Sequence, residues 1–287
     1  REPVMNSMFS RFLKAWFAVV AAVLLSACGA SSTVSPFQPS RVVGLGDGYN
    51  DTQATVREGS TTDTVVQQIG AYFGQTNVVS YASNGQKIAN LAAQITTAAT
   101  AQAFSASDLV VISVGTHDVI EGTNLTTAKS DLVAAVQSLL DAGVKHVLIM
   151  PVLEVSLTPW GQSTSFNTAA TNTFNDGILT VLSTSFGGQS GNKVIYANAS
   201  SLTVAFRTAV GTSLVYSPFT DTGYGGTTPA CGSGSVAGPA SNWTGCTTAN
   251  ANASYTTMLF ADGIHLTPAG NRWAAGFLYN ATANGWR

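Results

Sequence analysis

Charge is what this sequence has least of. Asp, Glu, Lys and Arg make up 9% of its 287 residues, as 12 basic and 14 acidic side chains. The basic residues form no run or stripe, which excludes the electrostatic footprint that a nucleic-acid partner requires. Histidine and cysteine are also scarce, at three each. Cys231 and Cys246 have no histidine near them in sequence, so they do not make a four-ligand metal set. No metal or organic cofactor is implied. The N-terminal apolar run, Ala15 to Leu24, is about half of the ~20 residues a membrane-crossing helix takes. No internal repeat is present. In place of charge the chain has 45% apolar residues and an abundance of Gly, Ala, Ser, Thr and Asn. That composition and length suit one large α/β domain with a full core.

The first residues read as a targeting segment. Arg11 and Lys14 precede the apolar run, and Leu25-Ser26-Ala27-Cys28 follows it. Those four residues resemble the lipobox of bacterial lipoproteins at every position. The resemblance implies a signal peptide over residues 1–27, cleavage before Cys28 and a lipid on that cysteine. It places the mature chain in the bacterial cell envelope, anchored to a membrane. Residues 28–40 are small, polar and proline-containing, as a tether would be. Without residues 1–27 the chain keeps 12 less 3 basic and 14 less 1 acidic residues, a net charge of −4. In an exported protein, a disulfide between Cys231 and Cys246 is the economical use of that pair.

From residue 41 the pattern alternates. Short apolar runs at 41–45, 78–81, 109–114, 144–150 and 193–197 read as strands. Segments with helical spacing lie between and after them, at 63–73, 87–99, 127–140, 166–186 and 267–281. Thr267 is placed to cap the last helix, with Pro268 in its first turn. Apolar strands alternating with helices predict a five-stranded parallel sheet covered on both faces, in a flavodoxin-like order. The expected class is a three-layer α/β/α sandwich over 41–287. Residues 211–257 have little periodicity and read as a long functional or disulfide-tied loop.

Four stretches then fall at the carboxyl ends of strands or just before the last helix. They are Gly46-Asp47-Gly48-Tyr49-Asn50-Asp51, Ala82-Ser83-Asn84-Gly85, Gly115-Thr116-His117-Asp118 and Asp262-Gly263-Ile264-His265. In order and spacing the set resembles the four blocks of the SGNH hydrolases, also called GDSL esterases and lipases. Phe174-Asn175 is similar to a further family feature in the middle helix. The resemblance implies ester hydrolysis in which a serine attacks the carbonyl, a histidine takes its proton, and an aspartate three residues earlier orients that histidine. Asp262 and His265 match the last two roles. The oxyanion donors would come from the backbone of residue 48, from Gly85 and from the third-block side chain. Asp47, Asp51 and Asp118 match supporting positions that hold the blocks in place.

Two positions depart from the family pattern. Gly48 stands where the serine belongs, and His117 where the asparagine belongs. Loss of such a nucleophile costs on the order of 10⁶ in turnover, while an oxyanion hole and binding leave a residual of about 10³ over water. Three readings of Gly48 follow. One is a changed sequence. Another is a pseudo-hydrolase that binds an acylated or glycan ligand without cutting it, which the paired change at 117 favours. The third is a divergent hydrolase in which His265 activates a water in the space left at Gly48, or in which Ser83, Tyr49 or Thr116 substitutes. The retained Asp262 and His265 favour an ester hydrolase of acyl or acetyl substrates, small-molecule, lipid or glycan. His146, inside the fourth strand, reads as structural. Trp160, Phe219, Tyr224 and Trp243 are aromatics that either line a cleft or pack a loop.

Overall fold

The structure is a computed structural model and describes residues 37–52, 64–188, 191, 193–210, 229–231, 258–283 and 286. These belong to one compact unit, Phe37–Arg287. Cys28, Cys246, Phe219, Tyr224, Trp243, the proposed signal peptide and most of the 211–257 loop lie outside the described residues.

Five strands form the sheet: β1 (Arg41–Gly46), β2 (Val78–Ser80), β3 (Asp108–Ser113), β4 (His146–Met150) and β5 (Lys193–Tyr196). Their order is β2-β1-β3-β4-β5, with every pairing parallel. This is the predicted flavodoxin-like arrangement. β1 and β3 are buried along their whole length, which is why they read as unbroken apolar runs.

Side chains alternate between the faces. Val42, Leu109, Val111, Leu148 and Met150 join one core with α1 (Val65–Tyr72), the helix at Ala199–Val210 and the last helix, Pro268–Ala281. Val43, Leu45, Val110, Ile112, Val147 and Ile149 join the other with α2 (Leu91–Ala101) and the helices at Leu125–Asp141 and Thr168–Phe186. The three layers are therefore two helical layers around one sheet. In chain order the remaining helices are α3 (Thr116–Ile120), α4 (Leu125–Asp141), α5 (Pro159–Ser163), α6 (Thr168–Phe186), α7 (Ala199–Val210) and α8 (Pro268–Ala281).

Local chemistry sets the helix starts. Thr64 and Gln67 make a reciprocal capping box before α1. Asn124 caps α4, and Thr267 accepts from the Gly270 N–H at the head of α8, with Pro268 in the first turn as expected. Helices α3, α5 and α7 were not anticipated. The first two have five residues each, too few for a periodic signal, and α7 is rich in Ser, Thr and Ala.

At the far end of the sheet, Arg41 and Asp108 sit opposite each other in register and form a buried ion pair. His146 lies on this side too. Its ring stacks on Phe37 at 3.5 Å and meets Trp286 edge-on. Burial pushes its pKa down to about 4, a neutral packed ring away from the carboxyl ends of the strands.

Candidate active site

The turn after β1 is shaped by two glycines with different constraints. Gly46 has φ +109°, and a Cβ there would lie 1.8 Å from the Ser113 carbonyl oxygen. No other residue fits. Gly48 is not in the left-handed region, so its backbone does not call for glycine. What a side chain at 48 would meet is His265.

Gly46 is gripped by a residue from α2. Its N–H donates to Gln94 Oε1 at 2.6 Å, and Gln94 Nε2 donates back to its carbonyl at 2.9 Å. Asn50 spans the same turn, with Nδ2 donating to the carbonyls of Leu45 and Val111. Neither clamp was foreseen. Gln94 is a polar residue on the otherwise apolar inner face of α2, beside Leu91, Ile95 and Ala98, and that break in the pattern was its only signal.

The Asp262–His265 segment is a tight loop. Phe260 bridges Leu266, and the Ala261 N–H donates to the His265 carbonyl at 2.8 Å. Tyr49 donates its hydroxyl to the Ile264 carbonyl at 3.0 Å, and the Trp160 N–H donates to the Gly263 carbonyl at 2.9 Å. The turns after β1 and β4 thus hold this loop in place. Tyr49 is committed to that bond, and burial, with Asp47 and Asp262 nearby, raises its pKa further. The Trp160 ring packs on Phe166.

Within the loop, Asp262 accepts three times. Oδ1 takes the N–H groups of Ile264 and His265 at 2.9 and 2.7 Å, and Oδ2 takes Nδ1 of His265 at 2.8 Å. Both residues are 3% exposed. Burial alone would raise the Asp262 pKa, but the His265 charge and these hydrogen bonds outweigh it and hold it below the usual range. Burial likewise opposes charge on His265. The charge and hydrogen bond of Asp262, helped by Asp47 and Asp51, prevail and hold its pKa above 6.5. This is an oriented imidazole whose basicity is raised.

Nε2 of His265 faces Asn84 Oδ1 at 2.7 Å. A Cβ on Gly48 would lie 2.3 Å from that nitrogen. The expected room for a water at Gly48 is therefore occupied by the ring itself. Ser83 is exposed on its turn, and Tyr49 is bonded elsewhere, so neither places a hydroxyl on Nε2. Thr116 is buried at the start of α3 and is not a partner of His265 either.

The supporting carboxylates join the blocks. Asp51 Oδ2 accepts the Asn84 N–H at 2.8 Å, and Asp118 Oδ2 accepts the Ile88 N–H at 3.0 Å. Asp47 is 1% exposed, with Oδ1 accepting from Ser113 at 3.1 Å and Oδ2 without a hydrogen-bond partner. Burial, only partly offset by the Tyr49 N–H, Ser113 and His265, pushes its pKa up to about 7. Gly85 has φ +79° and open space where a Cβ would be, so it is needed for its backbone conformation.

His117 is 1% exposed on α3. Its Nδ1 is 3.7 Å from Glu121, beyond a hydrogen bond, and has no partner. Burial, then the charge of His265, lower its pKa against the pull of Glu121, which leaves the ring neutral at pH 7. A cavity of about 290 Å³ opens beside this block, with Asp118, Leu125, Asn167 and Phe174 in its wall. Asn175 hydrogen-bonds both backbone groups of Val152, through Oδ1 at 3.0 Å and Nδ2 at 2.9 Å, and so fixes the loop after β4. Among the described residues, no three His, Cys, Asp or Glu side chains group as metal ligands.

An Asp–His pair facing the first turn of a parallel 2-1-3-4-5 sheet, at the carboxyl ends of its strands, is the arrangement of an SGNH-type α/β hydrolase. The chain belongs to the GDSL-like lipase/acylhydrolase family, whose model matches residues 42–277. Among solved structures it is similar to the acetyl xylan esterase AlAXEase, at 18% identity and a TM-score of 0.50 over 84% of this chain and 98% of that one. It is also similar to the lipase/acylhydrolase from Enterococcus faecalis, at 12% identity and a TM-score of 0.51 over 86% and 97%. At these identities the likeness is one of fold. No curated protein matches the sequence.

Proposed function

We propose that the protein is an ester hydrolase of acyl or acetyl substrates that works without a covalent serine intermediate and turns over slowly. The observation that carries this reading is the His265–Asp262 pair, oriented at 2.8 Å and aimed at the Gly48 turn, where the family pattern has its nucleophile. In this reading the Asn84 carboxamide first leaves Nε2 of His265, which then takes a proton from water; the water oxygen adds to the carbonyl carbon, and the proton passes to the leaving alkoxide. The N–H groups of Gly48 and Gly85 and the neutral ring of His117 are the oxyanion donors. The lack of a side chain at 48 removes the covalent route, so a rate near the residual ~10³ over water is expected.

A second reading is a pseudo-hydrolase that binds an acylated or glycan ligand in the same cleft. The closure of Gly48 by His265 and Asn84 favours it. Hydrolysis of short-chain p-nitrophenyl esters separates the two. Turnover that disappears in His265→Ala supports the hydrolase. No turnover above a buffer control, with retained ligand affinity in His265→Ala, supports the binder.

The same proposal places the chain in the bacterial envelope, held by a lipid on Cys28, with Cys231 joined to Cys246. Its support is the Leu25-Ser26-Ala27-Cys28 sequence and the exported setting it implies. Release of the Cys28→Ser variant from the membrane fraction is the expected result, and unchanged retention would refute the anchor.

A further inference from the structure

The seat of the missing nucleophile is filled from the neighbouring block. The Cβ position of Gly48 lies 2.3 Å from His265 Nε2 and 2.9 Å from Asn84 Oδ1, and those two atoms are 2.7 Å apart. A carboxamide from the turn after β2 thus stands where the hydroxyl of a residue-48 side chain would reach. Asn84 is 8% exposed, and its N–H is anchored to Asp51. The Ser83 N–H also donates to the Gly46 carbonyl at 3.1 Å, a bond that outward movement must break, while the outer side of the turn faces solvent. Ser83 is exposed, and nothing lies within 4 Å of the Cβ position of Gly85.

This contact silences the base. With Nδ1 bonded to Asp262, an imidazolium donates from Nε2 to the carboxamide oxygen and has no lone pair left. A neutral ring would spend its lone pair on the carboxamide N–H instead. In either state Nε2 cannot take a proton from water.

We propose that Asn84 is a built-in stopper: its carboxamide replaces the absent hydroxyl as the partner of His265 and closes the site until the 83–86 turn carries it outward. Once it leaves, Nε2 is exposed to water and to an acyl group. The identity of what enters rests on the ester-hydrolase reading, but the closure does not.

The test is ethoxycarbonylation of the folded full chain by diethyl pyrocarbonate, which needs an accessible, unprotonated imidazole nitrogen. Modification is read residue by residue by mass spectrometry. His265 should be protected in the parent and in Asn84→Asp, which keeps the group's size. It should react roughly ten- to a hundred-fold faster in Asn84→Ala, the factor by which one charge-assisted hydrogen bond biases closed over open. An unchanged rate at His146, stacked on Phe37, reports an intact fold. Should Asn84→Ala unfold, Asn84→Ser makes the same comparison. Equal reactivity of His265 in the parent and the shortened variant overturns the stopper.

Ester turnover supplies an independent arm. Gly48→Ser alone must push aside His265 while Asn84 holds it in place, whereas with Asn84→Ala the ring is no longer tied at Nε2 and only it has to shift, so the double variant should be about ten-fold or more faster. Measurable but equal turnover in the two also overturns the stopper. If neither turns over while His265 is unmasked in Asn84→Ala, the stopper stands and the ester-hydrolase reading falls.

Discussion

Replacing Asp47 with asparagine should change from destabilising to stabilising as the pH rises from about 4.5 to 8. The carboxyl is 1% exposed and its Oδ2 has no hydrogen-bond partner. Burial pushes its pKa from 3.8 to about 7. A folded pKa above the unfolded one means that the folded state holds the proton where the unfolded state has lost it. Stability is then full below the unfolded pKa, falls as pH rises through the window from 3.8 to about 7, and is level above it. Across roughly three pH units, at about 1.4 kcal/mol each, the loss is on the order of 4 kcal/mol. Asparagine cannot ionise and escapes that loss. It instead places an N–H₂ where Oδ2 had no partner, at a cost of about 1–3 kcal/mol. The parent has already lost about 1 kcal/mol at pH 4.5, so Asp47→Asn should be less stable than the parent by up to about 2 kcal/mol there, and more stable by about 1–3 kcal/mol at pH 8. Urea unfolding of both proteins at matched pH values measures the difference. The subtraction cancels titrating groups not coupled to Asp47, leaving that residue and its neighbour His265. A difference that stays constant from pH 4.5 to 8 would mean that Asp47 is ionised throughout with an ordinary pKa, and the argument from burial would fail.

Two further outcomes follow from the same site. Gln94→Ala strands the buried N–H of Gly46, whose carbonyl keeps the Ser83 N–H at 3.1 Å, so it should cost roughly 1–3 kcal/mol in denaturant unfolding; a loss below about 0.5 kcal/mol would show that the N–H finds another partner. Hydrolysis should rise with pH through a midpoint above 6.5, because the base must be neutral and Asp262, Asp47 and Asp51 together outweigh burial in raising the His265 pKa. Asp262→Asn should move that midpoint down in a pH–rate profile, and an unmoved midpoint would assign the titration to another group.

The layers of the fold were readable because they depend on pattern. β1, β3 and β4 are buried on both faces, so their apolar runs stood out against a chain of small polar residues, and alternation with helices left few sheet orders. Polar contacts outside the matched blocks and the helix caps were not readable. Glu154 is 1% exposed and bonded at 2.7 and 3.0 Å to Arg207, which holds α7 to the loop after β4, yet the two residues are 53 apart and share no periodicity. The blocks were found from their order at the strand ends, and in the first three the φ values of Gly46, Gly85 and Gly115 tie a position to glycine.

Asn84 is the instructive case, because the information for it was nearly in hand. Gly48 announced a missing side chain but not what fills its place. The parallel pairing of β1 with β2 puts Gly44 opposite Ser80. Counting four residues on along each chain reaches Gly48 on one and Asn84 on the other. Adjacent parallel strands leave the sheet side by side, about 4.8 Å apart, so their next residues begin their turns as neighbours. A side chain lost from the first turn is most cheaply replaced from the second, by a residue whose polar end extends past Cβ. Serine at 84 would carry its hydroxyl one bond from Cβ; asparagine carries its carboxamide oxygen two bonds out, and that oxygen is the one found against Nε2 of His265. Register, rather than the identity of any one block, was the signal that could have located it.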